Sequence, residues 1–138
     1  MTYKEFVNRP QRLHRRILHK ADDVAFKRET CQKSTSTFGE RVQTSPSNSM
    51  ERAYVVYIDA KRELNALIDE YNAARDEVEA FFYDNLRFFD ADLLEWRYIH
   101  DKSLQEIADL LGLALQTVKN NMSKAEKAAR EEFNKKRY

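Results

Sequence analysis

Residues 93–130 read LLEWRYIHDKSLQEIADLLGLALQTVKNNMSKAEKAAR, and the punctuation of this stretch decides the fold. Ser103-Leu104-Gln105-Glu106 is a capping box, in which a hydroxyl and a carboxylate three residues apart satisfy each other's free backbone amides at a helix start. The helix it opens carries Leu104, Ile107, Ala108 and Leu111 on one side. Gly112 follows where a tight turn needs a residue that tolerates positive φ. A last helix then starts near Leu115 and packs through Leu115, Val118, Met122 and Ala125. Upstream, Asp90 is placed to cap a helix from Ala91 to His100, whose Leu93, Leu94, Trp96 and Tyr98 supply most of a small core, and Asp101-Lys102 marks the break after it.

These positions fit two helices crossing at a turn. Ala108 is small where the second helix passes over it, Gly112 makes the corner, and Val118 locks the crossing, which is the logic of a helix-turn-helix. Only two glycines and two prolines occur in 138 residues, and Ala, Leu, Glu, Lys and Arg abound. An all-α protein follows from that scarcity of breakers.

Outward from this unit, Thr2-Tyr3-Lys4-Glu5 is a second capping box, so a first helix begins at once, with a break or bend expected at Arg9-Pro10. From Gln11 to Gln32 the apolar residues Leu13, Ile17, Ala21 and Val24 recur at helical steps beside Arg12, Arg15, Arg16 and Lys20. Residues 33–49, rich in Ser and Thr, read as a flexible loop. Asn48-Ser49-Met50-Glu51 offers a capping box for a long helix reaching Tyr83 or Asn85. Along it Ala53, Tyr57, Ala60, Leu64, Leu67, Tyr71, Ala74, Val78 and Phe81 alternate by four and three residues, a coiled-coil-like stripe that the segment 11–32 can cover by folding back antiparallel. The expected architecture is a long N-terminal antiparallel helical hairpin over residues 1–86, followed by a small three-helix helix-turn-helix domain over residues 87–138. The aromatic residues Phe81, Phe82, Tyr83, Phe88, Phe89 and Trp96 are expected as core and packing groups.

The net charge of +1 hides a segregation. Residues 1–33 carry nine basic and four acidic groups (+5), residues 49–96 five and twelve (−7), and residues 117–138 seven and three (+4). Oppositely charged helices can pack side by side on this pattern, and the C-terminal excess coincides with the last helix of the turn unit. No apolar run approaches the ~20 residues of a membrane span, and no signal peptide is seen, so a cytosolic location and no membrane partner are expected. The single Cys31 excludes an intramolecular disulfide and reads as a packed thiol. His14, His19 and His100 have no metal-site spacing, and no phosphate loop, nucleophile elbow or paired-acid motif occurs. No enzyme activity, cofactor or metal is expected.

With these residues in view, the stretch from Leu93 to Arg130 resembles region 4 of the sigma-70 family of transcription factors. It keeps that family's order of a Leu-rich helix with Arg-Tyr, a Ser-Leu-x-Glu-Ile-Ala helix, a Leu-Gly turn and a Val-Lys helix. The layout of the whole chain is similar to small phage and prophage proteins of uncharacterised function, which themselves resemble phage late-gene transcription regulators. The resemblance implies binding of double-stranded DNA by the helix from Leu115 onward. It places Gln116, Thr117, Lys119 and Asn120 at the base- and phosphate-contacting positions and Ser123, Lys124 and Lys127 at backbone contacts. Gln and Asn can bond adenine bidentately, and Lys can reach guanine or phosphate. Ala114 departs from the family's usual Ser or Thr cap, and Leu115 from a commonly polar contact. A phage-type transcriptional regulator acting with host RNA polymerase in the bacterial cytosol, self-associating as a homodimer through its long helices, is the reading this supports. A small-terminase-like DNA-packaging subunit and a protein-interaction adaptor without DNA binding are the alternatives.

Overall fold

The computed structural model describes residues 1–40 and 47–136, with side chains described outside 34–48. It is all-α: α1 (Tyr3–Glu40), α2 (Ser47–Asn85), α3 (Phe88–Tyr98), α4 (Leu104–Leu111) and α5 (Leu115–Lys136). The chain forms two compact units, one of Met1–Arg12 with Tyr71–Tyr138 and one of Leu13–Glu70.

Three local expectations need correction. Pro10 does not break the first helix, which runs through it. An interior proline removes one backbone hydrogen bond and crowds the preceding turn at a cost of roughly 3 kcal/mol. Here the ring is fully buried. Two side chains also bond to carbonyls of the preceding turn, Asn8 Nδ2 to Lys4 O at 2.8 Å and Arg12 to Glu5 O at 3.1 Å. The loop expected over 33–49 is helical at 33–40 and 47–49, leaving 41–46 outside the described residues. α2 therefore begins at Ser47, one residue ahead of the expected cap at Asn48. Asp90 does not cap α3: extended Arg87 (φ −63°, ψ 150°) holds the N-cap, and Asp90 lies buried in the first turn, paired with Arg87 at 3.3 Å. A carboxylate there still meets the positive end of the helix.

The unit of Met1–Arg12 with Tyr71–Tyr138 has a continuous core. Val7 of α1, Val78 and Phe82 of α2, Ala91, Leu93 and Leu94 of α3, and Ile107 and Ala108 of α4 are all sealed from solvent. So are Val118, Ala125 and Ala129 of α5. The start of α1 joins through aromatic rings, with Phe6 5.5 Å from Phe81 and 5.3 Å from Phe133, and Tyr3 edge-on to Phe133 at 5.9 Å. Such pairs add about 0.5–1.5 kcal/mol each beyond their buried area. Tyr83 ties the end of α2 to α3 through Asp92, at 2.6 Å, and Glu95. Burial, followed by these two carboxylates, raises its pKa and keeps the phenol protonated. Phe88 and Phe89 depart from the packing role expected of them: they are 75% and 43% exposed.

The unit of Leu13–Glu70 is a different construction. Its strands of helix lie antiparallel, and α1 meets α2 along Leu13, Ile17, Lys20, Val24, Lys27 and Cys31, spaced by four and three residues. Ala21, expected inward, is exposed, and half-buried Lys20 occupies that side of the helix. Lys20 pairs with Glu63 of α2 and, at 3.3 Å, with Asp23, which Lys27 holds at 2.9 Å. None of the seam residues Ala53, Tyr57, Ala60, Leu64 and Leu67 is exposed, yet Ala60 is the one fully buried among them. Among the described residues no helix is long and apolar enough to cross a membrane.

Candidate nucleic-acid interface

The turn unit begins with α3 and a corner at Asp101, whose φ of 53° is one that Asp tolerates better than most residues. Lys102 N closes the corner on Trp96 O at 2.9 Å. The capping box then forms in both directions, with Glu106 N donating to Ser103 Oγ at 3.1 Å and Ser103 N to Glu106 Oε1 at 3.4 Å. Gly112 ends α4 in the left-handed region (φ 67°, ψ 31°), and both its N–H and that of Leu113 reach Ala108 O. A Cβ at Gly112 would meet nothing within 4 Å. The glycine is therefore required by its backbone angle and not by crowding, at about 1–2 kcal/mol for another residue.

α5 starts three residues after Gly112, with Val118 N bonded to Ala114 O at 3.1 Å and no side chain available at Ala114 to cap the remaining amides. One face of the helix, through Val118, Met122, Ala125 and Ala129, is buried. This fixes what the other face presents. Gln116, Thr117, Lys119, Asn120, Ser123, Lys124 and Lys127 are all exposed. Residues 116, 120, 123 and 127 fall on one stripe by steps of four and three, with 119 and 124 beside it. Gln116 Nε2 donates to Asn120 Oδ1 at 3.1 Å, leaving Gln116 Oε1 and Asn120 Nδ2 outward as one acceptor and one donor. Among the described residues Lys119, Lys124 and Lys127 enter no ion pair, so the face carries three unneutralised positive charges.

The nearby acid is occupied elsewhere. Glu126 accepts from Tyr3 Oη at 3.1 Å and from Tyr98 Oη, joining α1 and α3 to α5. Burial first, and then the Glu126 carboxylate, pushes the pKa of both phenols up, so both remain donors across the ordinary pH range. Arg130 is a cationic group the sequence reading left out. It is exposed one turn beyond Lys127, with its guanidinium 5.8 Å from the Tyr3 ring centre. Its place three residues after Lys127 on the same stripe was the available signal. Lys119, Ser123, Lys127 and Arg130 share a shallow depression with Glu126 and with Leu104 at the start of α4. Among the described residues no group of three or more His, Cys, Asp or Glu side chains is placed to hold a metal ion.

A helix-turn-helix with an exposed amide-and-lysine face is thus built from α3, α4 and α5. Residues 90–128 match the family model of sigma-70, region 4. The match opens in the first turn of α3 and closes in α5, so it spans the sigma-70 region 4-like helix-turn-helix and about a quarter of the chain. No curated protein and no solved structure matches the chain.

Proposed function

We propose that the protein is a phage-type transcriptional regulator that binds duplex DNA through α5 and recruits or redirects host RNA polymerase. The observation that carries this reading is the exposed face of α5, where paired amides and three unneutralised lysines stand opposite a sealed core, within a region 4-like unit. Gln116 and Asn120 offer an acceptor and a donor to base edges in the major groove, and Thr117 and Lys119 flank them. Ser123, Lys124 and Lys127 follow the backbone phosphates, with Arg130 extending that line. Self-association through the long helices brings two such faces together and raises affinity by linkage without new groove contacts.

Three or four phosphate contacts imply that log K falls with log salt at a slope of about −3, roughly a sixty-fold loss between 50 and 200 mM salt. Selection of bound duplexes from random sequence, followed by mobility-shift titration, tests the reading. Lys119→Ala with Asn120→Ala is expected to weaken the selected site at least tenfold, whereas Lys124→Ala with Lys127→Ala weakens all sequences alike and flattens the salt slope. Unchanged binding in the first variant removes the groove assignment. Pull-down of RNA polymerase by the intact protein tests the second half of the proposal.

A further inference from the structure

The unit of Leu13–Glu70 has two unlike flanks. On one, Lys20, Asp23 and Lys27 form an ion-paired line along α1 that crosses to α2 at the Lys20–Glu63 pair. On the other, the two helices leave a groove floored by Ala21, Val24 and Ala25 of α1 and by Tyr57 and Leu64 of α2. This open flank repeats at heptad spacing on both helices. Leu18, Ala21, Ala25, Arg28 and Gln32 follow one another by three and four residues on α1, and Tyr54, Tyr57, Lys61, Leu64 and Ile68 do so on α2. Leu18, Tyr54 and Ile68 continue the groove's stripes and are 55%, 56% and 37% exposed.

Such a doubled seam is half of a four-helix bundle. The unit also lacks a core of its own, because Leu13 and Ala60 are its only fully buried apolar residues among those described. Two helices that short of burial depend on further packing for their stability.

We infer that the open flank is covered by the same flank of a second copy of this chain, giving a two-fold four-helix bundle. The surface is self-complementary in shape, since small Ala21 and Ala25 on α1 stand beside large Tyr57 and Leu64 on α2. A two-fold axis lays the large residues of each copy over the small ones of the other. The groove rim carries two bases, Arg28 and Lys61, and one acid, Glu29, which can meet a base of the other copy. Each copy therefore offers both signs to its mate. A basic partner would be repelled by two of these three groups and an acidic one by Glu29. Over ~20 residues of each helix the seam is about 30 Å long and two helix widths across, roughly 600 Å² from each copy. That total of about 1,200 Å² is at the low end of stable interfaces.

This inference deepens the self-association in the proposed function and stands without DNA binding, so its test contains no DNA. Sedimentation equilibrium of the intact chain from about 1 to about 100 µM is expected to show mass rising from 16.4 kDa toward twice that value. Leu18→Glu and Ile68→Glu, both at positions exposed in the single copy, should each raise the dissociation constant at least tenfold with helical circular dichroism kept. Phe26→Glu, away from the groove, should leave it unchanged. A 16.4 kDa species throughout overturns the inference. So does a dimer that survives Leu18→Glu and Ile68→Glu, or one that Phe26→Glu dissolves.

Discussion

The two compact units are made of the same kind of amphipathic helix, yet one closes on itself and the other does not. In the unit of Met1–Arg12 with Tyr71–Tyr138, five helical segments approach from different directions, so residues such as Phe82, Leu93, Ile107 and Val118 are covered on all sides. In the unit of Leu13–Glu70, two antiparallel rods can hide one stripe of each and no more. Among the described residues six of its large apolar side chains, Leu18, Phe26, Tyr54, Val55, Val56 and Ile68, are exposed. Helix periodicity alone therefore does not create a core; the number of directions from which helices arrive does. The lone-standing unit is the one that carries the region 4-like face, and the thin unit is the one left with a seam to share.

The comparison breaks most easily at the core. Leu93→Ala removes a fully buried side chain and is expected to cost about 2–5 kcal/mol, depending on how far the site collapses. Leu67→Ala, on the half-buried seam of the other unit, should cost only about 1 kcal/mol. Urea unfolding followed by circular dichroism, with Trp96 fluorescence reporting its own unit, separates the two. Equal losses would contradict the division into a sealed and an open unit.

A smaller effect sharpens the account of the sealed unit. Glu126→Ala leaves Tyr3, 5% exposed, with a buried hydroxyl and no acceptor, for an expected loss of about 1–3 kcal/mol. Adding Tyr3→Phe removes the stranded donor. The double variant should then be less destabilised than the two single losses added together, as a cycle of four unfolding curves would read. A strictly additive cycle would mean that the Tyr3–Glu126 bond does not hold α1 to α5.

Much of this was legible in the chain itself. The capping boxes at Thr2 and Ser103, the left-handed Gly112 and the inward faces of α4 and α5 depend on neighbours within five residues, and those local rules were sufficient. Failures came where distant contacts overrode a local signal. Pro10 reads as a break because its local cost is real, but its ring is fully buried and the helix runs through it. Phe88 and Phe89 read as core because they are aromatic, though the start of α3 turns them outward. The joining of Tyr3 and Tyr98 on Glu126 spans more than a hundred residues, and no spacing rule reaches that far. On α5 the exposed positions of Gln116 to Lys127 follow from its apolar stripe, whereas the Gln116–Asn120 bond required coordinates.

The least of the effects concerns the ion-paired flank of the open unit. Hydrogen bonding to Lys20 holds the Glu63 carboxyl below its ordinary pKa, Lys27 does the same for Asp23, and Glu63 in turn raises Lys20. A depressed carboxylate favours folding above its unfolded pKa and loses that contribution as pH falls through the lower folded value. The raised lysine contributes fully below its unfolded pKa and loses its share as pH climbs above that. The flank should thus weaken below about pH 4.5 and again above about pH 10, and remain level between. Glu63 is open to solvent and Lys20 and Asp23 are only half-buried, so the change is small and salt suppresses it. Glu63→Gln should flatten part of the acid-side slope in the unfolding midpoint of the hairpin at low salt by lowering the neutral-pH midpoint slightly toward the acid value, with Asp23 carrying the rest. An acid-side slope that survives both Glu63→Gln and high salt would place the titrating groups elsewhere, and the sealed unit's own carboxylates would be the next to test.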